Sequence, residues 1–247
     1  MTRKFVVIHE AQADIATATE IADRVLLDTV DWVDHPLDDH RRWIGEESPG
    51  KHLSWQAIPT FARELGIHVH GHFDGEPGLP DANAARRAIT YVLSQLADVE
   101  AILLIRDVDN QPERRRGLDQ ARDGHKSGCA IVVGVAIIER ESWVISGFEP
   151  VDDAERAKLE SETQTLGWDP RLRSHDLTAG KDNNAPKSPK RVLQALTKGN
   201  RDREQDCWRS TPLATLRERG KENGLADYLE EIRDHLVPIF TGHAAHA

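Results

Sequence analysis

Three apolar runs of the chain are each followed by acids. His9-Glu10 follows Phe5-Val6-Val7-Ile8, and Asp14 lies four residues beyond Glu10. Asp107-Val108-Asp109-Asn110 follows the run at 101–106, and Glu139-Arg140-Glu141-Ser142-Trp143 follows the run at 130–138. In open α/β sheets ligands bind outside the carboxyl ends of the strands, so acids placed there are candidates for chemistry. Carboxylate oxygens are the hard donors that Mg²⁺ or Mn²⁺ prefers. Two such ions about 4 Å apart can hold both the attacking and the leaving oxygen of a phosphodiester displacement. Converging carboxylates repel one another unless an ion or protons intervene. Glu10, Asp14, Asp107, Asp109, Glu139 and Glu141 are therefore the candidate metal ligands. Each also has a plainer reading. Glu10 suits the positive end of a helix dipole, Asp-x-Asp occurs in turns, and Glu139 and Glu141 can pair with Arg140.

Cations gather in two places. Arg114-Arg115-Arg116 follows the Asp-x-Asp by a few residues and suits either a phosphate clamp or solvated helix charge. Lys181, Lys187, Lys190 and Arg191 lie in a polar loop leading to a helix that Ser188-Pro189 starts, and helix N-termini favour phosphate. His68-x-His70-x-His72 places three imidazoles on one face of a strand. A regular strand spaces them nearly 7 Å apart, so a polar edge face is expected rather than a metal site. His9 is expected to be a core histidine or to support Glu10. No Gly-x-x-x-x-Gly-Lys-Ser/Thr loop, Gly-x-Ser-x-Gly elbow or Gly-x-Gly-x-x-Gly turn is present, which argues against P-loop ATP hydrolysis, hydrolase-elbow chemistry and nicotinamide binding.

The elements that must position these residues follow from periodicity. Strands are expected at 5–8, 67–73, 101–106 and 130–138, and helices at 11–30, 53–65, 82–96, 111–123 and 151–165. Residues 31–52 read as a polar insertion with little regular structure, holding Trp32 and Trp43; the insertion tryptophans are candidate partner anchors. Asp74 to Asp81 reads as a loop, and 169–188 as a second one. A helix from Ser188-Pro189 runs to about Lys198, and 213–240 holds two helical stretches separated near Gly220–Gly224. Alternating helices and continuous apolar strands predict an α/β fold with a mostly parallel sheet covered by helices on both faces. The organisation expected is one domain at 1–147, carrying the 31–52 insertion, and a mainly helical C-terminal extension at 148–247.

The chain has 247 residues and a net charge of −10, with 38% hydrophobic and 30% charged residues. This supplies one sizeable core and no run of about 18 apolar residues, so no membrane span is expected. The acidic balance argues against a sequence-specific DNA binder with a basic face. Two cysteines form neither a disulfide framework nor a zinc knuckle, the start of the chain does not read as a signal peptide, and a cytoplasmic protein is expected.

Glu10 after the first strand, with Asp107-Val108-Asp109 after a later one, resembles the Toprim fold. The resemblance sharpens towards Toprim-like nucleases of the overcoming-lysogenization-defect and RloB-like groups, on Asp14 and on Glu139-Arg140-Glu141-Ser142-Trp143. It covers roughly residues 5–147, and Lys-Ser-Pro-Lys at 187–190 is similar to the late segment of RloB-like proteins. The usual Gly after the first Glu is Ala11 here, and the 31–52 insertion has no counterpart. The resemblance implies an Mg²⁺- or Mn²⁺-dependent nuclease subunit of a bacterial anti-phage defence complex, acting on DNA or RNA beside an ABC- or SMC-like ATPase. Glu10, Asp107 and Asp109 would be catalytic, with Lys187 or Lys190 stabilising charge on the phosphate. The alternative it allows is a non-catalytic, regulatory partner of that ATPase. A metal-dependent nucleotide-sugar transferase using Asp-x-Asp ranks last, because it gives Glu10 and Glu141 no task.

Overall fold

The computed structural model describes residues 2–34, 36–44, 53–109, 111–178 and 180–242. In chain order the elements are β1 (Arg3–Ile8), α1 (Gln12–Thr29), β2 (Arg41–Ile44), α2 (Ile58–Glu64), β3 (His72–Phe73), β4 (Glu76–Pro77), α3 (Ala82–Gln95), β5 (Val99–Asp107), α4 (Arg114–Asp123), β6 (Ala130–Ala136) and α5 (Arg140–Ser146). Then follow α6 (Asp153–Leu166), α7 (Pro189–Thr197), α8 (Arg201–Arg209), α9 (Leu213–Arg219), α10 (Leu225–Glu231), a π-helical turn (Ile232–Leu236) and α11 (Val237–Thr241). The fold is α/β. Its central sheet is four-stranded and parallel, in the order β2-β1-β5-β6, and helices flank it.

The apolar runs bury as their composition requires. Phe5, Val6, Val7 and Ile8 are each at most 1% exposed. Successive strand residues face opposite sides, so burial of all four requires cover on both faces. One cover is identified by contact. Phe5 lies beside Trp43 in register, Trp43 donates its indole N–H to Asp23 of α1 at 3.1 Å, and the Phe240 ring of α11 sits 5.9 Å from Phe5. On the neighbouring strand, β5 continues the core, with Ile8 level with Leu104.

Two expectations are corrected. The 31–52 segment is not without regular structure: Arg41–Ile44 forms β2 at the sheet edge, paired to β1 from Arg3↔Arg41 to Val6↔Ile44. Its inward positions are Arg41 and Trp43, and a buried arginine breaks the apolar alternation by which strands are recognised. Arg41 is accommodated by Asp23, which takes its Nε–H at 2.7 Å and also pairs with its Nη2, and by Asp38 at 2.5 Å. Burial pushes the Asp23 carboxyl above its ordinary range, against the pull of Arg41 and Trp43. Residues 45–52 lie outside the described residues.

The strand expected at 67–73 shrinks to His72–Phe73, which pairs antiparallel with Glu76–Pro77. Asp74 and Gly75 between them both have positive φ (49° and 90°), the Asp-Gly pattern of a tight hairpin turn. Ahead of it, the Arg86 guanidinium takes the carbonyls of His70 and His72 at 2.7 Å each, and His68, His70 and His72 are exposed. Two helices, α5 and α8, were not foreseen; their sequences, RESWVIS and RDREQDCWR, are too short or too polar to show periodicity.

The chain forms two compact units. One comprises Met1–Arg106, Gln111–Gly134 and Glu230–Ala247, and the other Asp107–Asn110 and Val135–Leu229. In the first, α4 packs closely against the loop before α3. A Cβ on Gly117 would lie 1.8 Å from the Pro80 carbonyl oxygen, backbone that cannot step aside. Gly117→Ala is therefore expected to lower the denaturant midpoint, at a cost of about 2 kcal/mol typical of overpacking.

In the second unit the described elements beyond Gly147 are helical, and Ser188 starts α7 as expected, its Oγ accepting from Arg191 N–H. The centre of this unit is Asn223, which is 0% exposed. Its amide donates to the Ser142 carbonyl at 3.0 Å and to the hydroxyls of Ser146 and Ser174 at 2.5 and 2.8 Å, and its Oδ1 accepts from Leu225 N–H at 3.0 Å. The Asn223 carbonyl accepts the Trp143 indole N–H and the Ile137 N–H, each at 2.9 Å. The Trp143 ring stacks on Tyr228 at 5.1 Å.

Candidate functional site

The acids of the first unit sit in an alternating ring of charge. Glu10 leaves the end of β1, where an extended segment at 53–55 lies alongside: His9 N–H donates to the Leu53 carbonyl at 3.3 Å, and Trp55 N–H to the His9 carbonyl at 3.0 Å. His9 itself is 2% exposed. The Glu10 carboxylate pairs with Arg106 at the end of β5, and lies 3.8 Å from Arg114 in the first turn of α4. Asp81 closes the ring, 2.9 Å from Arg106 Nε and 3.1 Å from Arg114 Nε. Asp81 is the N-cap of α3 with φ 66°, yet its side chain makes no capping hydrogen bond. Its carboxylate is spent on the two arginines instead. Trp55 steadies Arg106 from the side: its ring centre is 5.3 Å from the guanidinium, and its indole N–H donates to the Ile105 carbonyl at 2.7 Å.

Asp14 has a different task. It is 6% exposed, and its Oδ2 accepts the N–H groups of Ala11 at 2.7 Å and Glu10 at 3.1 Å. At the third position of α1 it satisfies donors that the helix start leaves open.

The remaining predicted acids are in the second unit. Asp107 Oδ1 accepts the Arg140 N–H at 2.9 Å, so it caps α5 from the end of β5. Asp109 is exposed and has φ 46°. Glu139 is the N-cap of α5 and pairs with Lys190 of α7 at 2.7 Å. Glu141 lies 3.5 Å from Arg140 Nη2, which is 3.8 Å from Glu204 of α8. Burial pushes the Glu204 carboxyl up, Arg140 opposes this, and Glu141 adds to it. Burial alone would lower the Lys190 ammonium, but the Glu139 hydrogen bond and the fields of Glu139, Glu141 and Asp107 raise it. Ile138, immediately before Glu139, has φ 76°. A β-branched residue in that region is strained, and such strain collects where a loop is held for function.

Of the two late lysines, Lys190 joins the acids, and the Lys187 ammonium stands 4.9 Å from the Trp168 ring centre. Arg191 serves structure, forked onto Glu162 at 2.9 and 2.6 Å. The arginine triplet divides: Arg114 enters the Glu10 ring, Arg115 turns to Asp119 and Glu231, and exposed Arg116 pairs with Glu113. Sequence reasoning missed Asp81, Arg106 and Glu204. Arg106 ends an otherwise apolar strand run, which is a visible signal. Asp81 falls at the end of a segment read only as a loop, and Glu204 lies in a helix whose sequence shows no periodicity.

Asp107, Glu139, Glu141 and Glu204 stand among three cations, Arg140, Lys190 and Arg201, in one compact unit. Hard oxygen donors with an excess of negative charge suit a divalent cation. Among the described residues, no three His, Cys, Asp or Glu side chains are already arranged to hold one together. Comparisons with family models, with curated proteins and with solved structures returned no match to the chain. Among the described residues no helix is long and apolar enough to cross a membrane.

Proposed function

We propose that the chain is a metal-dependent nuclease subunit with a Toprim-like fold, hydrolysing phosphodiester bonds of nucleic acid in a cytoplasmic bacterial anti-phage complex with an ABC- or SMC-like ATPase. The observation that supports this best is topological. β1, β5 and β6 are consecutive neighbours in one parallel sheet, so the acids after all three follow strand ends on the edge where α/β proteins bind ligands. Within the first unit Ile8 is level with Leu104, so Glu10 and Arg106 each lie two residues beyond a matched pair.

Asp107, Asp109, Glu139 and Glu141, all of the second unit, would hold Mg²⁺ or Mn²⁺, and Glu10 is the acid the first unit contributes to the reading. The ion supplies Lewis-acid stabilisation of phosphoryl charge and a more acidic water. Within the chain, Asp107 orders the start of α5 and so sets the direction of Glu139 and Glu141. Lys190 offsets their charge through its pair with Glu139 and would stabilise charge on the phosphate. The engagement of Glu10 by two arginines favours a second reading, a non-catalytic partner of the same ATPase.

The test is cleavage of DNA and of RNA by the purified chain, alone and with the ATPase, in Mg²⁺ and in EDTA. Weak or no cleavage alone, and metal-dependent cleavage in the complex, is the expected result. Cleavage that persists in EDTA overturns the reading, and a complex inert on both substrates supports the non-catalytic one.

A further inference from the structure

We propose that Arg106 and Arg114 form a paired-guanidinium seat for a backbone phosphate of the nucleic acid, that Glu10 fills the seat in its absence, and that Asp81 is the positioning residue. The inference rests on the nuclease reading and deepens it by naming groups that touch the substrate.

The arrangement is that of a prepared anion site. Both guanidiniums present Nε to one carboxylate, Asp81, and Nη1 to one oxygen of another, Glu10. Asp81 thereby sets the plane of the Arg106 fork by a hydrogen bond and holds Arg114 beside it as an ion pair. Its own backbone is held in place by the close packing of Gly117 on Pro80, and Trp55 limits the swing of Arg106. Glu10 is the most exposed member. Its side chain is 23% exposed against 16% for Arg106 and 8% for Arg114, and its contact to Arg114 is 3.8 Å.

A phosphodiester carries the same single charge as Glu10 and offers two oxygens to two forks, the geometry guanidinium recognises best. Exchanging Glu10 for a phosphate leaves the cluster neutral, so no buried charge loses its partner on binding. Glu10 then acts as a placeholder that keeps the arginines apart and oriented. The same side chain is a metal ligand expected from the sequence, and leaving the seat is what that role requires of it.

The experiment measures binding of labelled single-stranded DNA and RNA of one sequence, in EDTA, over about 50–200 mM salt. Arg106→Gln and Arg114→Gln are each expected to weaken binding about tenfold, the scale of one charge-assisted hydrogen bond. Each is also expected to flatten the salt slope by about 0.7, the value for one phosphate contact on a single strand. Arg114→Lys keeps the charge and loses the fork, so the slope stays and affinity still falls. Glu10→Gln empties the seat and is expected to tighten binding. Asp81→Asn also removes a negative charge, yet is expected to weaken binding, because the forks lose their alignment.

If a glutamine variant fails to fold, the lysine variants of both arginines carry the test. Unchanged binding by Arg106→Lys and Arg114→Lys, or unchanged slopes in the glutamine variants, overturns the seat and leaves the nuclease reading standing. A wild-type chain that binds neither nucleic acid, alone or with the ATPase, overturns both.

Discussion

On the nuclease proposal, Asp107→Asn is expected to lower the proposed activity by about 10³-fold or more, the scale seen when one electrostatic stabiliser of a transition state is removed. The substitution is chosen for what it keeps. Asp107 Oδ1 accepts the Arg140 N–H at 2.9 Å, and an asparagine oxygen can do the same. The start of α5 therefore survives, and the melting temperature should stay within about 1 °C of wild type, under the roughly 2–4 °C that a 1 kcal/mol loss shifts a chain of this size. Asp107→Ala removes the acceptor as well and is expected to cost about 1 kcal/mol. The pair of variants, read by activity and by thermal melting, separates charge from capping. Full activity in Asp107→Asn would remove this acid from the chemistry.

The largest effect on stability is expected at Asn223. Asn223→Ala should cost about 3–4 kcal/mol, read as a lower denaturant midpoint at unchanged slope. The loss has two parts. Leu225 N–H keeps no side-chain acceptor, a buried unsatisfied donor worth about 1–3 kcal/mol. The space left among Ser142, Ser146 and Ser174 adds a cavity cost. Ser142 shares its carbonyl with the Ser146 hydroxyl at 2.8 Å, so that acceptor stays satisfied and the damage is bounded. A shift below about 1 kcal/mol would mean that the serines re-pair among themselves.

What could be read from the sequence divides along a physical line. β1, β5 and β6 are legible because strands buried on both faces need continuous apolar runs, α1 because its apolar residues recur at helical spacing, and α7 because Ser188-Pro189 marks a helix start. β2 did not, because its inward Arg41 satisfies its charge on Asp23, eighteen residues earlier in the chain. The hairpin at Asp74-Gly75 was visible as turn residues, while the strands either side were too short to show a period. At the site, acids at strand ends were legible because topology alone places them. Of their cations, Arg140 and Lys190 could be named from sequence, but Arg106 could not. It reaches Glu10 through side-chain direction, which is set by packing that no local pattern encodes.

The first unit is assembled from three stretches of chain, and the last of them, beginning at Glu230, returns to cover β1. Phe240 lies 5.9 Å from Phe5 and also faces Trp32, and the Arg3 guanidinium sits 5.0 Å over the Phe240 ring. On the ribosome, Phe5 is made more than two hundred residues before its cover arrives. Until then an apolar strand and the ring of Trp43 stay open to other chains, a setting in which nascent proteins aggregate or recruit chaperones. The helices at 135–229 are translated during that wait, and they can fold first because their own contacts are nearer in sequence. Synthesis of the segment from Glu230, rather than emergence of the first strand, is thus the step that lets this sheet become a closed core.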